Sequence, residues 1–267
     1  MLIDGKRIAR QIFDELRAQP TPAKKMVAIA AGDDAALVHF LRLKGKFAAE
    51  LGVQFELKEF SNNVTTKELC SAVKAFADDD HVGAVIIELP LPSAVDAQAV
   101  LDVVPPSKDP ECLTTANLKL FSDHRSSILP PAVATTQTII ESLRIENLAQ
   151  KNAVIVGAGF LVGAPVAHWL TPIVRHVDVL RRASTDDERR AALASADIIV
   201  TGVGKRGLVT GEMIKSGAIV IDFGYPADVD WKSIDAVGGI VTPTPGGTGP
   251  VLITELFRNF YSLTSTK

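Results

Sequence analysis

Nine residues near the end of the chain, Thr242-Pro-Thr-Pro-Gly-Gly-Thr-Gly-Pro250, restrict it more than any other segment. Prolines fix φ near about −65°, and glycines permit backbone angles and close approaches that side chains forbid. The segment therefore cannot form a helix or a central strand. Pro250 suits the first turn of the apolar helical pattern that follows, Val251 to Tyr261, because its missing N–H is not needed there. A rigid loop feeding a helix N-terminus presents free N–H groups that could face a ligand; it could equally be an ordinary linker.

Around this loop, strand-like and helical runs alternate. Met26 to Ala31, Val53 to Leu57 and Val82 to Ile87 are short and apolar or β-branched, with helical periodicity between them at Ala35 to Leu51 and Thr65 to Ala77. A proline-rich stretch from Pro90 to Pro131 interrupts the rhythm, and the helix at Thr135 to Leu143 joins the halves. The second half reads as strand Ala153 to Val156, helix Val162 to Leu170, strand His176 to Leu180, helix Asp186 to Ala194, and strands Asp197 to Thr201 and Ala218 to Ile221. Such alternation implies α/β architecture with a parallel sheet in each half.

Composition excludes several classes. With 267 residues, 47% of them hydrophobic, and a net charge of −3, the chain is an ordinary globular protein with scattered basic residues, so nucleic acid is not expected as a partner. No apolar run approaches the ~20 residues of a spanning helix, and the N-terminus lacks a signal-peptide core, so no membrane partner is expected and the cytosol is the default location. Cys70 and Cys112 supply neither a disulfide framework nor metal-ligand spacing, and no metal is expected.

Val154-Ile-Val-Gly157-Ala-Gly159-Phe-Leu-Val-Gly163 lies between a strand and a helix. There Gly157 would make a tight turn, Gly159 would let backbone approach a pyrophosphate, and the helix dipole would favour its charge. The spacing departs from GxGxxG by one residue, and a turn that only packs helix on sheet remains open. The next strand runs into Arg181-Arg182, where an NAD site would place an acid. A guanidinium there suits the 2′-phosphate of NADP, so NADP is favoured over NAD.

On the helix Ala35 to Leu51, Leu37, Phe40, Leu41, Ala48 and Leu51 form one apolar stripe, and Lys44 falls in its middle. Either its stem covers apolar surface while the amine snorkels outward, or the amine enters a cleft with a depressed pKa and can transfer protons.

These segments together resemble the bifunctional methylenetetrahydrofolate dehydrogenase/cyclohydrolase (FolD) family. The match runs from Asp4-Gly5-Lys6 through the terminal helix, and its most specific parts are Glu88-Leu-Pro-Leu-Pro92, Lys108-Asp109, Val220-Ile-Asp-Phe-Gly224 and the Thr242–Pro250 loop. The resemblance implies a folate/catalytic α/β domain of residues 1–134 plus 250–267, an NADP-binding Rossmann domain of residues 135–249, a cleft between them, and a homodimer. It implies catalytic roles for Lys44, Glu88 and Glu111. Contacts to the folate substrate fall to Phe40, Leu89, Pro90, Pro243, Pro245, Gly246, Gly247, Gly249, Pro250 and Val251. Contacts to NADP fall to Gly157, Ala158, Gly159, Phe160, Leu161, Val162, Arg181, Arg182, Gly202, Val203, Gly204, Tyr225 and Thr248.

Four departures from the family pattern fall where the chemistry is expected: Phe40 replaces a tyrosine, Glu88 a glutamine and Glu111 an aspartate, while Pro131-Ala-Val133 stands where Cys-Thr-Pro is usual. At the phosphate turn, Gly159 replaces a serine. A carboxylate at 88 would favour the Lys44 ammonium and oppose any lowering of its pKa. The implied activity is NADP-dependent oxidation of 5,10-methylenetetrahydrofolate, with hydrolysis of the product to 10-formyltetrahydrofolate less secure. A catalytically impaired folate- or nucleotide-binding homologue is one alternative, and a dehydrogenase resembling shikimate dehydrogenase another.

Overall fold

The computed structural model describes residues 1–32 and 35–265, including the side chains of all of these except residues 35–39. Among them the chain runs α1 (Gly5–Arg17), β1 (Lys25–Ala31), α2 (Ala35–Leu51), β2 (Phe55–Phe60), α3 (Thr66–Asp78), β3 (Val82–Ile87), α4 (Ala97–Leu101), α5 (Thr115–Ser122) and α6 (Pro131–Ser142). It continues through β4 (Asn152–Val156), α7 (Gly163–Leu170), β5 (His176–Leu180), α8 (Asp186–Ser195), β6 (Ile198–Thr201), β7 (Ile219–Asp222), α9 (Trp231–Ala236), β8 (Ile240–Val241) and α10 (Thr248–Thr264). Two compact units result, one of Met1–Gln11 with Ala132–Leu252 and the other of Ile12–Pro131 with Ile253–Lys267.

The unit containing α2 is built on a parallel sheet in the order β2-β1-β3. Every residue of β3 is buried, as expected of an uninterrupted apolar strand covered on both faces. β2 lies at the sheet's edge and is half-exposed. A capping box, in which Thr65 and Glu68 each accept from the other's backbone N–H, starts α3. Leu69 and Val73 of that helix pack with Val27, Ile29, Val85 and Ile87 in one core.

The other unit carries a five-stranded parallel sheet in the order β5-β4-β6-β7-β8. Its core joins Val154, Val156, Ile199 and Val220 from the strands with Leu193 of α8 and Ile234 of α9. Residues 1–11 group with this sheet because Leu2 bridges Val241, with the Ile3 N–H donating to the Val241 carbonyl at 2.8 Å.

The expected strands and helices are all present, α2, β3 and β5 at the expected bounds and the others with displaced ends, and α1, α4, α5, α9 and β8 are additional. β2 begins at Phe55 and not at Val53, because the end of α2 consumes the Val53 N–H. That group donates to the Ala48 carbonyl and the Gly52 N–H to the Ala49 carbonyl, with Gly52 at φ 72°, which is a Schellman stop. The loop is also shorter than its composition suggests. α10 starts at Thr248, so Gly249 and Pro250 lie in its first turn, where backbone N–H groups have no intrahelical acceptor to lose.

Candidate active site

α2 positions Lys44. Leu41, Ala48 and Leu51 are buried as the stripe requires, whereas the side chain of Leu37 lies outside the described residues. Lys44 itself is only 8% exposed, so its amine does not snorkel. Its Nζ donates to Glu88 Oε1 at 2.5 Å and to Glu111 Oε1 at 3.3 Å. Glu88 follows β3 directly, and its N–H donates to the Ile29 carbonyl, which extends the β1–β3 ladder and fixes where its side chain emerges. Phe40, one helical turn before Lys44, is half-buried.

The amine is buried without a depressed pKa, in the direction expected from a carboxylate at 88. Burial opposes the ammonium, but the Glu111 and Glu88 carboxylates outweigh it and hold Lys44 above the ordinary lysine value. Glu111 moves in the opposite sense for a carboxyl. Burial pushes it up and Lys44 pulls it down, while Glu88 and Asp109 add to burial, leaving it at about 7.

The Lys108-Asp109 pair holds the Glu111 loop in place. Lys108 Nζ donates to the carbonyls of Ala77 and Asp79 at 2.7 Å each, tying the loop to the end of α3. Buried Asp109 accepts from the N–H groups of Leu113 and Thr114 and from Asn117 Nδ2. Of the ELPLP turn, Leu89 packs partly against the core and Pro90 is exposed.

In the five-stranded unit, the expected nucleotide residues gather where β4 and β6 end. The chain leaves β4 toward β5 on one side and β6 lies on the other, which makes this the switch point at which open α/β sheets hold ligands. Gly157 has φ 93°, and a Cβ on Gly163 would lie 1.9 Å from the Gly157 carbonyl oxygen, so both glycines are required by the turn itself. A Cβ on Gly159 would meet nothing within 4 Å; packing does not explain that glycine, and open space lies beside its backbone. Phe160 and Leu161 are exposed, while Ala158 and Val162 are half-buried. Val203 lies against Gly157 and Val162 against Gly202, so the turn Gly202–Gly204 sits directly beside the glycine turn. Arg181 and Arg182 stand exposed just beyond β5, where the Arg181 N–H donates to Ser184 Oγ at 3.0 Å.

Beneath this site lie two buried carboxylates that were not among the expected site residues, Asp222 within the Val220–Gly224 segment and Asp228 just beyond it. Asp228 accepts from Thr201 Oγ1 at 2.6 Å and from the N–H groups of Val203 at 2.7 Å and Lys205 at 2.6 Å, clamping the turn after β6. Asp222 accepts from the N–H groups of Gly224 and Asp228. Its burial, with the charge of Asp228 and against its N–H donors, pushes it up to about 7. For Asp222 the signals were its place in the Val220–Gly224 segment and at the end of a buried strand.

The Pro243–Pro250 loop packs on the start of α1: a Cβ on Gly5 would lie 1.8 Å from the Gly247 carbonyl oxygen. Gly247 is buried, Pro243, Gly246, Gly249 and Pro250 are half-buried, and Val251 is fully buried. Thr248 Oγ1 donates to the Asp222 carbonyl at 2.6 Å. Exposed Tyr225 and Pro245 line one pocket of about 750 Å³ with Arg206, Trp231 and Lys232.

Comparisons with known proteins agree across the chain. The family model of the tetrahydrofolate dehydrogenase/cyclohydrolase catalytic domain matches residues 3–111, and that of the NAD(P)-binding domain of the same family matches residues 130–267. The bifunctional protein FolD of Staphylococcus aureus is 32% identical over 273 aligned positions, covering 97% of this chain and 94% of that protein. The bifunctional FolD enzyme of Campylobacter jejuni superposes with a TM-score of 0.90 at 27% identity, covering 99% of this chain and 98% of that one. A Trypanosoma brucei methylenetetrahydrofolate dehydrogenase-cyclohydrolase, solved with NADP cofactor and an inhibitor, also reaches 0.90, at 28% identity and with 99% and 97% covered.

Proposed function

This chain belongs to the tetrahydrofolate dehydrogenase/cyclohydrolase family, and from that premise we propose that it oxidises 5,10-methylenetetrahydrofolate with NADP and hydrolyses the methenyl product to 10-formyltetrahydrofolate. The buried cluster of Lys44 with Glu88 and Glu111 carries this reading. Loss of hydride turns the neutral methylene compound into a methenyl cation. A cluster of one ammonium and two carboxylates, when all are ionised, has a net negative charge that favours this change.

Gly157 to Val162, with Gly202 to Gly204, would hold the NADP pyrophosphate, and the open space beside Gly159 fits a phosphate approaching the backbone. Arg181 and Arg182 would take the 2′-phosphate through forked N–H donors, with Tyr225 and Thr248 as further contacts. The nicotinamide, when bound, supplies the hydride acceptor. Folate contacts fall to Phe40, Leu89, Pro90 and the loop from Pro243 to Val251. We further read the protein as a homodimer of the cytosol, with residues 1–134 and 250–267 serving folate and 135–249 serving NADP. No described helix is long and apolar enough to cross a membrane.

Purified protein given methylenetetrahydrofolate with NADP or with NAD tests the proposal, with methenyl and formyl products followed separately. Faster turnover with NADP is expected. Absence of turnover with both cofactors would reject it.

A further inference from the structure

Resting on the proposed function, we propose that Glu111 is the proton carrier for methenyl hydrolysis, and that Lys44, closed against Glu88, serves as a fixed cation. The geometry separates the two carboxylates. Glu88 lies 2.5 Å from the ammonium with a side chain 9% exposed, whereas Glu111 lies 3.3 Å away and is 20% exposed. Among the described residues, the Lys44 contact to Oε1 is the one hydrogen bond of the Glu111 side chain, so its other oxygen is open to water or substrate.

The charge balance points the same way. The titratable groups facing Glu111 are Lys44 from α2, Glu88 from the end of β3, and Asp109 and Cys112 from its own loop. Two carboxyls share one buried ammonium, and Asp109 adds a further negative charge near Glu111. Glu88 holds the ammonium directly and Asp109 is engaged by three N–H donors, whereas Glu111 has the single longer contact to Lys44. The Cys112 thiol is pushed up by burial and by Asp109 and Glu111, and it keeps its proton. Glu111, at about 7, is the group poised to exchange one near neutrality. Lys44, raised above its ordinary value, gives up a proton only with difficulty.

The step balances without an oxidant. The Glu111 carboxylate takes a proton from water as the water oxygen bonds to the methenyl carbon, giving a neutral carbinol. Glu111 then returns that proton to N5 as the carbon–N5 bond breaks. The carbinol hydroxyl proton passes to solvent as the formyl carbonyl forms on N10, and one proton is released overall.

The test supplies methenyltetrahydrofolate directly and measures hydrolysis above the uncatalysed background between about pH 5.5 and about pH 8.5, spanning the expected carrier pKa. Oxidation of methylenetetrahydrofolate with NADP is measured in parallel. Wild-type hydrolysis should rise with pH through an inflection near 7. Glu111→Gln should lose about 10²-fold or more in hydrolysis, with a flattened profile and a much smaller loss in oxidation. Glu111→Asp should recover part of the rate with a displaced inflection. A Glu111→Gln enzyme that keeps the wild-type profile, or loses both activities equally, overturns the proposal. If that variant does not fold, an unchanged inflection in Glu111→Asp overturns it instead. A wild type that oxidises but never hydrolyses defeats this inference alone; one that does neither defeats the proposed function with it.

Discussion

At the residue scale, Glu88 acts on both of its neighbours. Its charge raises Lys44 by Coulomb attraction and raises Glu111 by repulsion. Glu88→Gln preserves size and removes that charge, so the hydrolysis inflection should move below its wild-type position and the rate near neutral pH should increase. Superimposable pH–rate profiles for wild type and variant would refute this coupling. Removal of the ammonium itself is a different perturbation, because it would strand two buried carboxylates without a counter-ion. Lys44 is legible in the sequence as an anomaly, since a lysine inside a 3.6-residue apolar stripe needs a reason. Its partners are legible only through their motifs. Glu88 and Glu111 lie 44 and 67 residues away, and no local pattern shows that the ends of β3 and of the proline-rich loop converge. The upward direction of the lysine shift is the one expected from a carboxylate at 88, whereas the added pull of Glu111 is not readable from one helix.

At the scale of elements, strand tips carry the nucleotide site. The ends of β4 and β6 are legible because a β-branched run followed by glycines and an apolar helix has few other foldings. Arg181 and Arg182, exposed beyond β5, give a direct prediction. Alanine at both positions should weaken NADP binding far more than NAD binding in calorimetric titrations; equal losses would assign the 2′-phosphate elsewhere. Asp228 was not legible, because its work is done across 27, 25 and 23 residues of sequence separation. Asp228→Asn retains one acceptor oxygen where two are used, which forces at least one donor of Thr201, Val203 or Lys205 to lose its partner. A loss of roughly 2 kcal/mol in denaturant unfolding is expected, from the strength of hydrogen bonds to a charged group, together with weaker NADP binding. Reduced stability with unaltered NADP affinity would show that the turn after β6 does not hold the cofactor.

At the scale of the whole molecule, each unit has, among the described residues, one carboxyl raised to about 7: Glu111 in the unit of α2, and Asp222 in the five-stranded unit. A carboxyl whose folded pKa lies above its unfolded value binds protons more strongly in the native state. Between the ordinary value, 4.5 for Glu111 and 3.8 for Asp222, and about 7, stability must therefore fall as pH rises. Each group contributes at most about 1.4 kcal/mol per pH unit in that window. Opposing carboxylates do not cancel the slope there. Glu68, Asp102, Glu188 and Asp197 are lowered, so their contributions are lost only as pH falls below the ordinary carboxylate range. The urea midpoint should accordingly be higher near pH 5.5 than near pH 7.5, the opposite of the trend set by carboxylates stabilised through ion pairs. The two contributions can be separated because they belong to different units. Asp222→Asn should flatten the pH dependence for unfolding of the five-stranded unit, and Glu111→Gln that of the unit carrying Lys44. Tryptophan fluorescence distinguishes them, since Trp169 and Trp231 both belong to the five-stranded unit, whereas far-ultraviolet dichroism reports on both. A midpoint that rises from pH 5.5 to 7.5, or slopes that neither substitution alters, would mean that these buried carboxyls are ionised in the native protein.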